Sequence, residues 1–256
     1  MQEILVIKLG GILLNSVVAM KNFFKILCEY KIKNRNILVV HGGTSLEKLF
    51  FQNNTIYSKD QLCYNIRDEL NINYKKLNLL LGMINTNIVK YARMNGINAI
   101  GLNCTDGDTI IFQSADIESC ICTDYNSLDL LNYLFSRNII PIINPTGITK
   151  DHTLINIDAD IISMFISKAL KSRLIMLTDV NAVLDGKGHA IKKMNNVMCE
   201  QLILEGVIST GMVTKVNSAI KISKFLNQSV NIASWANFME LKKIFYGYTT
   251  GTLIMY

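Results

Sequence analysis

The sequence predicts an α/β fold: a three-layer α-β-α sandwich with a central, mostly parallel sheet. Three observations predict it. Short β-branched runs alternate with longer amphipathic segments along the 256 residues. The runs are apolar throughout, as strands covered on both faces are. Several of them end in glycine or polar turns, where ligands of parallel sheets gather, beyond the carboxyl ends of the strands.

Taken in order, Ile4–Ile7 reads as a buried strand ending in Lys8-Leu9-Gly10-Gly11, and 16–30 as a helix. Ile37–Val40 is a second buried strand, ending in His41-Gly42-Gly43, with a helix from about Ser45. Residues 53–68 are polar and irregular, a loop or hairpin excursion of the kind that often carries substrate contacts. A helix over about 73–95 leads to a strand at Asn98–Leu102, a turn at Thr105–Asp108 and a polar hairpin over 109–124. Leu128–Ser136 is helical and Ile139–Ile143 an apolar strand. In 158–170, Ile161, Ile162, Phe165, Ile166 and Ala169 share one helix face. Leu174–Leu177 is a strand, 211–227 a helix, Val230–Ala233 a strand, 237–245 a helix and Leu253–Met255 an edge strand. With no obvious linker, residues 1–256 form one domain whose two lobes, about 1–174 and 175–256, meet near residue 175.

Composition narrows the function classes. Half of the residues are hydrophobic and 18% are charged, which supports a sizeable core and argues against global disorder. The net charge of +6 is scattered, with only short runs such as Lys75-Lys76 and Lys242-Lys243, so it marks no nucleic-acid face. The six cysteines include no Cys-x-x-Cys pair, and His41, His152 and His189 lie far apart, so no metal site is expected. Free thiols fit a reducing compartment. Glu3 and Lys8 interrupt the apolar N-terminal stretch, and no uncharged apolar run reaches the roughly 18 residues a membrane span needs. The expectation is a cytoplasmic protein.

Five motifs carry possible chemistry. In Lys8-Leu9-Gly10-Gly11, glycines after a strand let backbone N–H groups approach an anion, and Lys8 can offset its charge. Alone, such a pair is more often just a tight turn. His41-Gly42-Gly43-Thr44 repeats the arrangement, and His41 reads as a strand cap in preference to a base. Asn156-Ile157-Asp158-Ala159-Asp160 opens a helix with Asp158 as its N-cap, leaving Asp160 in the first turn to face a site. Thr178-Asp179-Val180 and the stretch to Gly188 offer small residues and turn glycines suited to a nucleotide pocket, or to a surface turn. Gly211-Met212-Val213-Thr214-Lys215 starts a helix whose N-terminus attracts anions; alone, Lys215 is more often a solvated lysine.

In this order, over essentially the whole chain, the five motifs resemble the amino acid kinase family. Val183–Gly188 and Asn231-Ile232-Ala233-Ser234-Trp235 resemble most the members that act on N-acetyl-L-glutamate. The resemblance implies transfer of the γ-phosphoryl group of ATP to the side-chain carboxylate of N-acetyl-L-glutamate, giving an acyl phosphate for arginine synthesis. It implies that Lys8 and Lys215 flank the moving group and that Asp160 orients both lysines. Gly10 and Gly11 would contact phosphate, Gly42 and Gly43 the acceptor side, Arg67 the substrate α-carboxylate and Asn156 the acetylated amino acid. Thr178, Asp179, Val180, Val183, Leu184, Gly211 and Met212 would hold the nucleotide, with Mg2+ carried on ATP oxygens. The N-terminal lobe would bind the acceptor and dimerise, and the C-terminal lobe would bind the nucleotide. With the first strand beginning near Glu3, the resemblance implies an arginine-insensitive homodimer. The sequence departs from the family pattern at Thr44, at Asp158, at Asn85-Thr86 (where a lysine is common), around Ser119–Thr123 and in the setting of Arg67. A sister activity on glutamate or uridylate, or a non-catalytic nucleotide-binding relative, is the alternative.

Overall fold

Parallel pairing of β-branched strands sets the frame. The computed structural model describes residues 4–10, 13, 16–31, 36–43, 72–112, 122–124, 127–208 and 210–256. In chain order the elements are β1 (Ile4–Leu9), α1 (Val17–Lys31), β2 (Asn36–His41), α2 (Ile72–Met94), β3 (Ala99–Asn103), a 3-10 turn (Asp106–Asp108), β4 (Ile111–Phe112), β5 (Cys122–Asp124), α3 (Asp129–Ser136), β6 (Ile140–Asn144), β7 (Thr146–Ile148), β8 (Leu154–Asn156), α4 (Ala159–Ala169), β9 (Arg173–Thr178), β10 (Lys193–Asn195), α5 (Asn196–Leu204), α6 (Thr210–Leu226), β11 (Val230–Ser234), α7 (Phe238–Phe245) and β12 (Thr252–Met255).

Eight strands form the main sheet in the order β10-β12-β11-β9-β1-β2-β6-β3. From β11 to β3 all neighbours are parallel; β12 runs antiparallel to β11 and parallel to β10. β4 with β5, and β7 with β8, form two small antiparallel ribbons.

The two-residue period of a strand sorts side chains between the two helical layers. Leu5, Ile7 and Leu9 of β1, with Ile37 and Val39 of β2, pack against α1, α2 and α7. Val6, Leu38, Val40 and Met176 face the other way, into a core shared with α3, α4, α5 and α6. By the same parity Lys8 points to the α4–α6 side and His41 to the α1–α2 side. Both burial and chemistry follow from that alternation.

Side-chain caps mark several helix starts. Asp158 accepts the Asp160 N–H at 2.7 Å, Asn195 accepts from Met198, and Asn237 accepts from Met239 and Glu240. Each satisfies donors that the first turn leaves free.

The described elements match the expected ones to within a residue or two, with three differences. β12 is not an edge strand, because β10 pairs along its outer side. β7, β8 and β10 span three residues each, too short to show a period. α5 escaped notice because Cys199 is its one buried residue, while Val197, Met198 and Leu204 are exposed. The expected helix from Ser45 and the excursion over 53–68 lie outside the described residues. No described helix is long and apolar enough to cross a membrane.

Candidate active site

The candidate site lies at the carboxyl ends of β1, β2 and β9. The sheet continues one residue beyond β1: Gly10 N–H donates to Leu177 O at 3.0 Å, and Gly42 N–H donates to Leu9 O at 3.4 Å. A Cβ on Gly10 would stand 3.1 Å from Leu177 O, so the absent side chain lets two backbones approach. The Gly10 amide is thus already engaged, and the residue shapes the turn instead of donating to an anion. At Gly42 a Cβ would lie 3.6 Å from that of Ala159, which puts this turn against the start of α4.

Lys8 rises from β1 between these turns. Its Nζ lies 2.7 Å from Asp160 Oδ1, and both side chains are less than one-fifth exposed, at 19% and 18%. Lys215, on the second turn of α6, pairs with Asp179 just beyond β9, with 31% and 33% exposure. Among the described ion pairs, Asp160 meets Lys8 and not Lys215, where the resemblance implies that it orients both lysines. Lys215 is held by Asp179 instead. Asp158 caps α4 between the two regions. Burial, and then the charge of Asp160, raise its carboxyl above the usual range.

Asn156 ends β8 and is 9% exposed. Its Nδ2 has no hydrogen-bond partner among the described residues. A buried amide donor without a partner is costly, and a bound carbonyl or carboxylate would satisfy it. His41 is wholly buried on the opposite face from Lys8, and burial lowers its pKa to about 4. That placement removes it from any role as general base. Gly11 and Arg67 lie outside the described residues.

A cavity of about 510 Å³ opens between the loop after β9 and the start of α6. Asp179, Val180, Asn181 and Leu184 of the expected stretch line it with Met212, joined by Val207 and Ile208, which sequence reasoning missed. Val207 and Ile208 follow the unrecognised α5, so no signal could have found them. Gly211 lies in the first turn of α6. Two expected lining residues stand behind the wall instead. Val183 is buried, and its N–H donates to Thr252 Oγ1 at 2.8 Å; Thr252 in turn donates to Ile191 O at 2.7 Å. Thr178 is buried too, with its Oγ1 accepting the Val180 N–H at 3.0 Å. Both brace the backbone of the pocket. At its rim Asp185 accepts N–H bonds from Lys187 and His189, and that from His189 chiefly holds its carboxyl below the usual range.

A lysine held by an aspartate beside a glycine turn, and a second one held by an aspartate that lines a cavity, are groups that can neutralise a polyphosphate. The model of the amino acid kinase family matches residues 3–234. The chain belongs to the amino acid kinase family. Among amino acid kinases, it is 36% identical to an acetylglutamate kinase of Buchnera aphidicola subsp. Acyrthosiphon pisum, over 98% of each chain. It is also 36% identical to an acetylglutamate kinase of Yersinia enterocolitica, over 98% of this chain and all of that one. The solved structure of smu.665 from Streptococcus mutans superposes with a TM-score of 0.76 at 22% identity, covering 100% of this chain and 99% of that one, which shows the shared fold.

Proposed function

We propose that this amino acid kinase transfers the γ-phosphoryl group of ATP to the side-chain carboxylate of N-acetyl-L-glutamate, in arginine biosynthesis. The observation that carries the reaction type is that Lys8, at the strand end that leads into a glycine turn, and Lys215, near the start of α6, are each held by their own aspartate. The likeness to acetylglutamate kinases over the whole chain supports the acceptor.

A carboxylate is ionised near neutral pH and needs no base. One of its oxygens attacks the γ-phosphorus, the bond to the β,γ-bridging oxygen breaks, and ADP leaves with that electron pair. Lys8 and Lys215 stand on either side of the transferring group and offset its charge, while Asp160 and Asp179 hold the two ammonium groups in place. Gly42 and Gly43 receive the group on the acceptor side, with Gly11 opposite. Asn156 Nδ2 donates to the bound acetylamino acid, and Arg67 pairs with its α-carboxylate. Acceptor residues fall before about 174 and, apart from the glycines after β1, nucleotide residues after it: Asp179, Val180, Leu184, Gly211 and Met212 line or flank the adenosine, with Thr178 and Val183 bracing them.

Mg2+ would supply further neutralisation of the phosphates. The donor set of the chain is not a cage for it: among the described residues no three His, Cys, Asp or Glu side chains converge, and Asp160 and Asp179 are each tied to a lysine. The ion would arrive on the ATP oxygens. We also propose a homodimer through α2, supported by Leu79 and Met83, four residues apart and each 70% exposed. Light scattering should give twice the mass of the chain, 28.8 kDa. A cytoplasmic location is supported by the free thiols of Cys28, Cys104 and Cys199.

A coupled assay of ADP release with N-acetyl-L-glutamate, glutamate and UMP tests the reading. Turnover with N-acetyl-L-glutamate is expected. Turnover with another acceptor alone would overturn the substrate, and nucleotide binding without any turnover would overturn the kinase assignment.

A further inference from the structure

Behind the sheet, on the face away from both lysines, a buried polar chain ends on the Gly42 peptide. Ile37 and Val39 of β2 sit in the α1–α2 core, and His41 follows them on the same side at 0% exposure. Asn85, on α2, is also buried. Its Nδ2 donates to Ile142 O at 2.9 Å and lies 3.1 Å from His41 Nε2. The other ring nitrogen, Nδ1, lies 3.2 Å from Gly42 O.

Donor and acceptor rules leave one arrangement. Ile142 O can only accept, so the nitrogen of the Asn85 amide must face it, and the same nitrogen must present its second N–H to His41. His41 Nε2 therefore accepts and carries no proton. In a neutral imidazole the proton is then on Nδ1, which donates to Gly42 O. Burial keeps the ring neutral at ordinary pH. The packing is built around this chain: a Cβ on Gly101 would stand 1.9 Å from Asn85 Oδ1, so β3 offers bare backbone where the amide lies.

Gly42 O belongs to the peptide that carries the Gly43 N–H. In a planar trans peptide the two point in opposite directions. Drawing the carbonyl back toward His41 turns the Gly43 N–H toward the Lys8 side of the sheet.

We infer that His41 is a positioning residue for phosphoryl transfer, acting with Asn85 to lock the Gly42–Gly43 peptide so that its N–H faces the transferring group. The inference rests on the reading above that Gly42 and Gly43 receive that group. It gives His41 a task at a distance from the chemistry, through one fixed tautomer and one peptide plane. A flexible glycine pair gains from such a lock, because an N–H donor stabilises a developing charge only if it is already aimed.

The test uses the intact chain and three variants. His41→Leu and Asn85→Leu should lower kcat on the order of 10²-fold, the scale of losing one aimed donor, with KM for ATP unchanged. His41→Asn places an amide N–H near the position of Nδ1 and should restore most of the rate. Loss of kcat in step with melting temperature, or a change in KM for ATP alone, would overturn the inference. So would His41→Leu at full rate. Nitrogen NMR of the unsubstituted protein decides the tautomer independently of any variant: a protonated Nε2 or an imidazolium at neutral pH refutes the lock. If the wild-type chain phosphorylates no acceptor, the functional reading fails by that result, while the tautomer is still judged by NMR.

Discussion

The two walls of the candidate site are built differently. One stands on strands: Lys8 projects from β1, which is hydrogen-bonded along both edges to β2 and β9, and its partner Asp160 sits in the first turn of α4. The other stands on a helix and a loop: Lys215 comes from α6 and Asp179 from the segment after β9. The chemistry of the two pairs is the same, but the first is less than one-fifth exposed and the second about one-third. Charges nearer the interior are screened less by salt and water. The contrast teaches that the strand wall holds its charge in the less screened of the two settings.

The largest break in this comparison is Lys8→Arg. A guanidinium is planar and longer than an ammonium, and β1 cannot shift to accommodate it. We expect a kcat loss of about 10³-fold with a near-unchanged melting temperature; retained turnover would remove Lys8 from the mechanism.

Neutralising each aspartate measures the difference between the walls. Asp160→Asn leaves a mostly buried ammonium without its counter-charge and should cost on the order of 10²-fold in kcat. It should also cost about 1–3 kcal/mol in chemical denaturation. Asp179→Asn, at the more exposed pair, should cost on the order of tenfold in kcat and at most about 1 kcal/mol of stability. Equal losses would erase the distinction.

The strand wall should also respond to acid through His41. Its folded pKa lies below that of the unfolded chain, so between the two the unfolded state binds the extra proton. Stability is then fully present near neutral pH and falls as the pH drops toward about 4. Between about pH 7 and about pH 5 the loss from this group is about 2 kcal/mol. Urea unfolding across that range, compared with His41→Asn, should show a shallower pH slope in the variant.

The smallest effect is expected at the seam. Asp158→Asn keeps an N-cap of equal quality, so stability should change by no more than about 0.5 kcal/mol. The sign is set by the raised carboxyl: its ionised form is disfavoured in the fold. The variant should gain slightly near neutral pH, and the gain should vanish in acid. A clear loss at neutral pH would show that the charge of Asp158 serves the Lys8 wall.

Much of the architecture was legible because long elements carry a strong period. The apolar runs at Ile4–Ile7, Ile37–Val40 and Leu174–Leu177 became the three neighbouring strands at the heart of the sheet. α4 was legible from its apolar spacing and its Asp158 cap. β7, β8 and β10 were not, since three residues define no period, and α5 hides only one residue in the core. In the site, Lys8, Asp160 and Lys215 could be named from their motifs. The inward turn of Val183 and Thr178 could not, because it depends on a hydroxyl from β12 and on the close of the loop after β9.

The sequence by itself determined the layer order, the glycine turns at the strand ends and the family, because these follow from local period and from motifs a few residues long. Only the tertiary structure decided which aspartate holds which lysine, and that His41 grips the Gly42 peptide from behind. Those contacts join residues far apart in the chain, and the sheet's register and the parity of each strand choose them. No pattern along the chain encodes which face of a neighbouring strand or helix will be waiting.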